Sequence, residues 1–390
     1  MEKKLSLGII VPTIDNGQLI LQELLLKKLN ERYNMTIFVL SDKIEKNKNF
    51  DKNQLVFLNM EISNSLLKFP MKYYNKINKL KYFKRKHDID SCISFGKKAN
   101  ILNALSSEDE TTILNITEAY DDSFVMDQFV KRMYKKADKI IVNTRKAKIF
   151  VQKDYHIDKE NVFLIEDILP IDQISEMAAE KVDDKLSKFF EYKVIVNKGD
   201  LIAEKGQWHL IKAFFRLKEK MEDLKLLIIG NGPLYDELNE LISSMKMEEQ
   251  IKIIKNIENP YKYLIRSDVF VLSSQKENNT NSLLDAMACA RPVISTTCFD
   301  DIIRLLSPNN YIKDIDEAFS AEYGILVPTA TNPFNANSKV LNKKEIVLSD
   351  AIFTLLNDYE TYDKYMEQSA RRAVAFSADN IIKRWSRIIG

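Results

Sequence analysis

Two carboxylates in the stretch Asp268–Cys298, DVFVLSSQKENNTNSLLDAMACARPVISTTC, have the types and spacing that chemistry needs. Glu277 lies in the polar loop Ser273–Ser282, and Asp285 follows eight positions later in the helical segment Leu283–Ala290. The apolar run Val269–Leu272 before the loop fits a buried strand; Pro292 stops the helix, and Val293-Ile294 begins another strand. Strand, loop, helix, strand is the βαβ unit of a parallel sheet, which binds ligands at the carboxyl ends of its strands. Glu277 at a strand end and Asp285 on the helix's second turn then face one crevice. Between them the backbone N–H groups from Asn278 to Ser282, Asn281 among them, lie at a helix N-terminus, which suits a phosphate. Hydroxyl-binding carboxylates flanking an anion site are what a sugar nucleotide needs.

The elements upstream must carry the rest of such a site. From Lys193 to Ile265 strands and helices alternate: Lys193–Asn197, Gln207–Lys220, Leu224–Ile229, Leu234–Met245, Ile251–Ile254 and a helix near Pro260–Ile265. That alternation makes a parallel sheet covered on both faces. Two of its loops matter. One, Gly199–Gly206, holds Asp200 and Lys205, with Lys198 just before it. The other, Gly230-Asn231-Gly232-Pro233, lets backbone approach a base or ribose closely. It is no dinucleotide fingerprint, because Tyr235 stands where the third glycine should be.

The run S-S-x-x-E-x-x-x-N-x-L-L-D-A-M-A-C-x-x-P-V-I-S around Glu277 resembles the retaining glycosyltransferases of family four (glycosyl transferases group one), whose E-x7-E motif here ends in Asp285. Gly199–Gly206 resembles that family's G-R-L-x-x-x-K-G, with Lys205 in place and Asp200 where the family has Arg. Further departures are Asn278 for Gly, Ala290 for Gly before the Arg-Pro-Val turn, and Phe299–Arg304 where G-P-R-E should stand. The runs Ala321–Pro328 and Phe376–Ile381 match, so the resemblance spans essentially the whole chain. It is specific in the second half and diffuse in the first.

The resemblance implies an α/β fold of two doubly wound Rossmann-like domains facing across a cleft, the GT-B architecture. The expected boundaries are 1–175 on the acceptor side, 176–375 for the nucleotide sugar, and 376–390 as a helix crossing back. It also implies transfer of a sugar from a UDP-linked donor to a glycan or lipid-linked hydroxyl, with retention of configuration. Lys205 and the amides near Ser282 and Leu283 would then stabilise the leaving diphosphate, Glu277 would hold the donor sugar and Asp285 the ribose. Lys198 is the substitute cation for the Arg lost at Asp200. Gly17, in the turn after the first strand, lies where the family has a glycine-rich turn under the donor phosphate. No cofactor and no metal is expected. The substitutions keep a second class open, a non-catalytic partner or scaffold of the same fold. A third, a sugar-nucleotide epimerase or phosphorylase, lacks a histidine–carboxylate cluster or cofactor lysine motif.

Composition bounds these readings. The chain has 390 residues, 45% hydrophobic and 29% charged, enough for two domains of a soluble globular protein. Three cysteines, Cys92, Cys289 and Cys298, form no disulfide framework and fit a reducing cytoplasm. No pair has zinc-ligand spacing. Met1–Asp15 reads as a first strand and not a signal peptide, and nothing approaches the roughly 18 apolar residues of a spanning helix. Residues 1–150 carry 27 Lys and Arg against 18 Asp and Glu, which favours an anionic partner for that half.

Leu66–Lys86 is the most basic segment, and Phe69, Tyr73, Ile77, Leu80 and Phe83 recur along it at helical steps. Its favoured reading is a helix docked on its own domain with a solvated basic face. An anionic membrane surface is the alternative partner, with each lysine worth about 1 kcal/mol there. No recognition motif supports nucleic acid. Asp154–Asp184, acid-rich around Pro170, reads as the linker between domains.

Overall fold

The structure, a computed structural model, describes residues 4–13, 20–41, 54–58, 69–116, 124–310, 312, 314–334 and 340–390. Gly17 lies outside the described residues. The chain divides into two compact units, Met1–Ile168 with Ala378–Gly390, and Leu169–Ser377.

The first unit holds a parallel sheet of β1 (Ser6–Val11), β2 (Asn34–Val39), β3 (Leu55–Phe57), β4 (Ser91–Phe95), β5 (Thr111–Ile116), β6 (Lys139–Val142) and β7 (Val162–Leu164). Its order is β3-β2-β1-β4-β5-β6-β7. Every residue of β1 and β4 is buried, because strands covered on both faces read as continuous apolar runs. The last helix, Ala378–Ile389, joins this unit: Ile381, Ile382, Trp385, Ile388 and Ile389 enter the same core as Leu25, Leu26 and Leu29 of the helix Ile20–Arg32. Steps of three and four residues place those five side chains on one stripe. Ser91 Oγ donates to Ile389 O at 3.1 Å and Lys139 Nζ to Ile388 O at 2.6 Å, satisfying carbonyls at the helix end.

The second unit repeats the plan with β8 (Lys193–Lys198), β9 (Leu224–Ile229), β10 (Ile251–Ile254), β11 (Val269–Leu272), β12 (Val293–Thr296), β13 (Phe319–Ser320) and β14 (Ile325–Val327). The order is β10-β9-β8-β11-β12-β14-β13, with only the last pair antiparallel. Alternate side chains feed two cores. Val194, Val196, Leu227, Phe270 and Leu272 pack on one face; Ile195, Leu226, Ile228, Val269 and Val271 pack on the other. Strand order reverses between β8 and β11, so the loops after these two strands open a crevice at their carboxyl ends.

The segment Asp154–Asp184 is not a linker. It contributes β7 to the first sheet and the helix Ile171–Ala178 to the second unit. The units part between Ile168, which packs in the first core, and Leu169, which packs in the second and pairs with Ser377. The boundary thus falls at 168 and not at 175. A three-residue edge strand is too short to show periodicity, which is why the segment reads as irregular.

The basic helix spans Phe69–Lys86 and spends much of its charge internally. Lys84 is buried, with Nζ 2.5 Å from Glu110 and 2.9 Å from Asn103 Oδ1. Arg85 and Lys81 pair with Glu108, and Lys79 donates to Leu58 O at 2.7 Å. Tyr74 and Tyr82 stay exposed on its outer side. Among the described residues no helix is long and apolar enough to cross a membrane.

Candidate functional site

Two ion pairs stand at the strand-order reversal of the second unit. After β8 the loop turns through Gly199 and Asp200 to Lys205; after β11 the chain runs through Ser273 and Ser274 to Glu277. Lys205 Nζ reaches both carboxylate oxygens of Glu277, at 2.7 and 2.6 Å. Ser274 Oγ donates to Glu277 Oε1 at 2.7 Å. Glu277 is buried, 8% exposed, so its charge needs the cation and the hydroxyl donor it has. The two loops are also stitched through backbone: Gln275 N and Lys276 N both donate to Glu204 O, at 2.7 and 3.1 Å. Gly206, at φ 59°, begins the helix Gln207–Lys218 with no room for a side chain, since a Cβ would sit 2.7 Å from Ser273 O.

The second pair is Lys198 with Asp285. Lys198 ends β8, and its Nζ lies 2.5 Å from Asp285 Oδ2. Asp285, in the helix Asn281–Ala288, also accepts from Tyr261 OH at 3.4 Å. Burial first and the Asp285 charge second push the Tyr261 phenol up, so it stays a protonated donor. The Lys198 ammonium lies 5.9 Å from the Tyr261 ring centroid, a cation–π distance. The sequence pattern's two carboxylates therefore each hold a lysine from the same β8 loop region.

The helix N-terminus between them is partly self-satisfied. Asn279 Oδ1 accepts from Asn281 N at 3.0 Å. Asn278 and Asn281 are exposed, Ser282 is half-buried, and the Leu283 side chain belongs to the core, leaving that residue only its amide to offer. Asp200 is exposed, and its carbonyl accepts from Gln207 Nε2 at 2.9 Å.

The Gly230-Asn231-Gly232 turn has a neighbour that the sequence did not show. A Cβ on Gly230 would lie 1.9 Å from Gly199 O, and one on Gly232 2.4 Å from Leu201 O. Leu201 N donates to Asn231 O and Leu234 N to Leu201 O, while Asn231 Oδ1 accepts from Asn256 N at 2.9 Å. These glycines let the β9 loop close onto the β8 loop that holds Lys205. The backbone they approach is the chain's own.

A family model described as glycosyl transferases group 1 matches residues 179–309, the span that contains both pairs. Residues 179–309 form a glycosyl transferases group 1 domain by this match. An uncharacterized glycosyltransferase of Methanocaldococcus jannaschii is 29% identical over 360 residues, covering 87% of this chain and 88% of its own. The N-acetylgalactosamine-N,N'-diacetylbacillosaminyl-diphospho-undecaprenol 4-alpha-N-acetylgalactosaminyltransferase of Campylobacter jejuni is 28% identical over 262 residues, 67% of this chain and 62% of its own. Among solved structures, Anabaena HepE in complex with UDP superposes with a TM-score of 0.69 at 13% identity, covering 99% of each chain. The fold is that of the GT-B glycosyltransferases.

The group 1 domain also uses residues that the motif pattern did not single out. Ser274, Tyr261 and Thr296, whose Oγ1 donates to Ser274 O at 2.6 Å, support the two carboxylates. A hydrogen-bonded chain also runs from buried Glu345 through buried His209 to half-buried Gln275. Ser274 was visible in the S-S-x-x-E string. Tyr261 carries no local signal, and the local pattern at Glu345 is only that of a helix cap; their relevance to the site arises from the fold bringing distant elements together. Ala290 adopts φ 55°, which explains why the family pattern has glycine at that position.

Proposed function

We propose that this protein moves a sugar from a nucleoside-diphosphate sugar, with UDP the favoured nucleotide, to a hydroxyl of a glycan or lipid-linked acceptor, with retention of configuration. The observation that carries the reading is the Lys205–Glu277 pair, joined across 72 positions at the strand-order reversal. Lys205 exchanges Glu277 for the donor diphosphate and neutralises the charge that develops as the sugar departs. Glu277, once released, accepts from the donor sugar's hydroxyls. Asp285 takes the ribose hydroxyls, and Lys198 beside it supplies the cation that Asp200 cannot. The Ser282 and Leu283 amides add N–H donors to the diphosphate.

The bond from the donor's anomeric carbon to the diphosphate oxygen breaks, and its electron pair leaves with the diphosphate. The acceptor oxygen bonds to the same face of that carbon, and its proton passes to the departing diphosphate oxygen. This scheme asks for no protein nucleophile, no cofactor and no metal. The names of two similar proteins support the ligand classes: HepE was solved with UDP, and the Campylobacter jejuni transferase is named for a diphospho-undecaprenol acceptor. Work on such an acceptor would place the protein in the cytoplasm, at the inner face of a membrane. The exposed Tyr74 and Tyr82 with neighbouring Lys86 on the basic helix are the surface suited to that anionic face.

Calorimetric titration with UDP, and with GDP for comparison, tests the reading. Micromolar UDP binding, about −8 kcal/mol, that Lys205→Ala abolishes and Glu277→Ala leaves in place, with the added affinity of the sugar-bearing donor lost in Glu277→Ala, is the expected result. A second reading, a non-catalytic partner of the same fold, draws on Asp200 standing where the resembled family has Arg. Absence of binding to either nucleotide at millimolar concentration would overturn the first reading in favour of the second.

A further inference from the structure

Behind the Glu277 loop lies a polar chain that neither ion pair accounts for. Glu345 is 1% exposed and His209 2% exposed. Glu345 Oε2 accepts from Asn342 N at 2.8 Å, closing a capping box on the helix Lys343–Asn357, while its Oε1 lies 2.7 Å from His209 Nδ1. A carboxylate only accepts, so Nδ1 donates to Glu345, and Nε2 accepts from the Gln275 carboxamide N–H that faces it. Opposite Nε2 at 3.0 Å stands Gln275 Nε2, whose other N–H reaches Asn332 O at 3.3 Å. Each donor in this chain meets an acceptor, and the direction is fixed from the capping box outward. Gln275 is two residues before Glu277, and its own N–H binds Glu204 O next to Lys205.

We infer that His209, held by Glu345, is a positioning residue that fixes the loop Ser273–Glu277 through Gln275, and so sets the geometry of the Glu277–Lys205 pair. The inference rests on the proposed donor role of that pair only for its kinetic consequence; the mechanical claim stands on the contacts. His209 touches neither Lys205 nor Glu277 through a hydrogen bond of its own. It acts by denying the Gln275 side chain any other seat. The same amide ties Asn332 to this loop.

Two substitutions separate the arms of the chain. His209→Asn places an amide N–H where Nδ1 was, keeping the bond to Glu345 and withdrawing the acceptor from Gln275. His209→Gln places an amide oxygen near the Nε2 position, keeping the Gln275 contact and withdrawing the donor from Glu345. Hydrogen exchange of the full chain, read at the Gln275 and Lys276 amides, should speed up about tenfold in His209→Asn. It should stay near wild type in His209→Gln, which instead lowers the global unfolding midpoint. Gln275→Leu, at a half-exposed site that should not impede folding, should reproduce the His209→Asn exchange pattern. In turnover assays His209→Asn and Gln275→Leu should raise the donor KM several-fold while the acceptor KM stays unchanged. Equal exchange at both amides in all variants, or equal loss in His209→Asn and His209→Gln, would overturn the inference. If wild-type protein binds no nucleotide, the proposed donor reading fails, and the exchange result still decides the role of His209.

Discussion

Lys198 Nζ stands 2.5 Å from Asp285 Oδ2, tying the end of β8 to the helix Asn281–Ala288 across the reversal of strand order. The two side chains retain 27% and 11% exposure, so solvent screens the pair and its net value is modest. A double-mutant cycle of Lys198→Ala and Asp285→Asn, read by urea unfolding, should give a coupling of about 1 kcal/mol. Lys198→Ala should also weaken UDP binding about tenfold, because the remaining cation must carry the diphosphate alone. Unchanged UDP affinity would show that Lys198 serves Asp285 and not the ligand.

Asp200→Arg tests the same charge balance from the other side. Asp200 is exposed, so the change should leave stability within about 0.5 kcal/mol. It removes an anion and adds a planar donor fork suited to phosphate oxygens. UDP should bind at least fivefold more tightly by calorimetry, and a weaker complex would place the diphosphate elsewhere.

Two backbone positions should respond in opposite directions. Gly230→Ala puts a Cβ 1.9 Å from Gly199 O, and neither loop can yield easily while Gly199 N is bonded to Ile229 O and Leu201 N to Asn231 O. A loss of about 3 kcal/mol or more in urea unfolding is expected. Ala290→Gly relieves a residue held at φ 55°, a conformation that costs an L side chain about 1 kcal/mol. It should raise the unfolding free energy by that order. A destabilised Ala290→Gly would mean that the methyl group's packing outweighs the strain.

What the sequence disclosed follows from which interactions leave a local trace. β8, β9 and β11 are buried on both faces and show as apolar runs, and the loops after β8 and β11 follow from where those runs end. Lys205 and Glu277 were therefore nameable, each at the end of its own strand. Their pairing was not, nor was that of Lys198 with Asp285, because a contact across 72 or 87 positions has no period to detect. β3 and β7, three residues each, fall below the length at which alternation can be seen. Gly230 and Gly232 announced a close backbone approach, yet only the fold reveals that Gly199 and Leu201 are what they approach. Glu345 reads locally as a capping-box residue, and its second partner, His209, lies 136 positions away.

Burial also sets a dependence on pH. It is the largest influence on all three thiols, pushing Cys92 and Cys298 up to about 11 and Cys289 up to about 12. Asp285 adds to the rise at Cys289, and Glu277 adds to it at Cys298. The unfolded chain's thiols ionise near their ordinary value of 9.0, so above that pH the unfolded state sheds protons that the folded state keeps. Stability from these groups is therefore complete below about pH 9 and is lost as pH climbs towards 11 or 12, by up to about 1.4 kcal/mol per thiol per pH unit. Urea midpoints at pH 8 and pH 10 should fall steeply in the wild type. They should fall less in a variant carrying Cys92→Ala, Cys289→Ala and Cys298→Ser. Tyr263, which burial pushes up to about 12, still contributes in the same direction, so the variant keeps a residual slope. An identical pH slope in both proteins would mean that the thiolates are solvated in the folded state, contradicting the buried placement of Cys92 and Cys289.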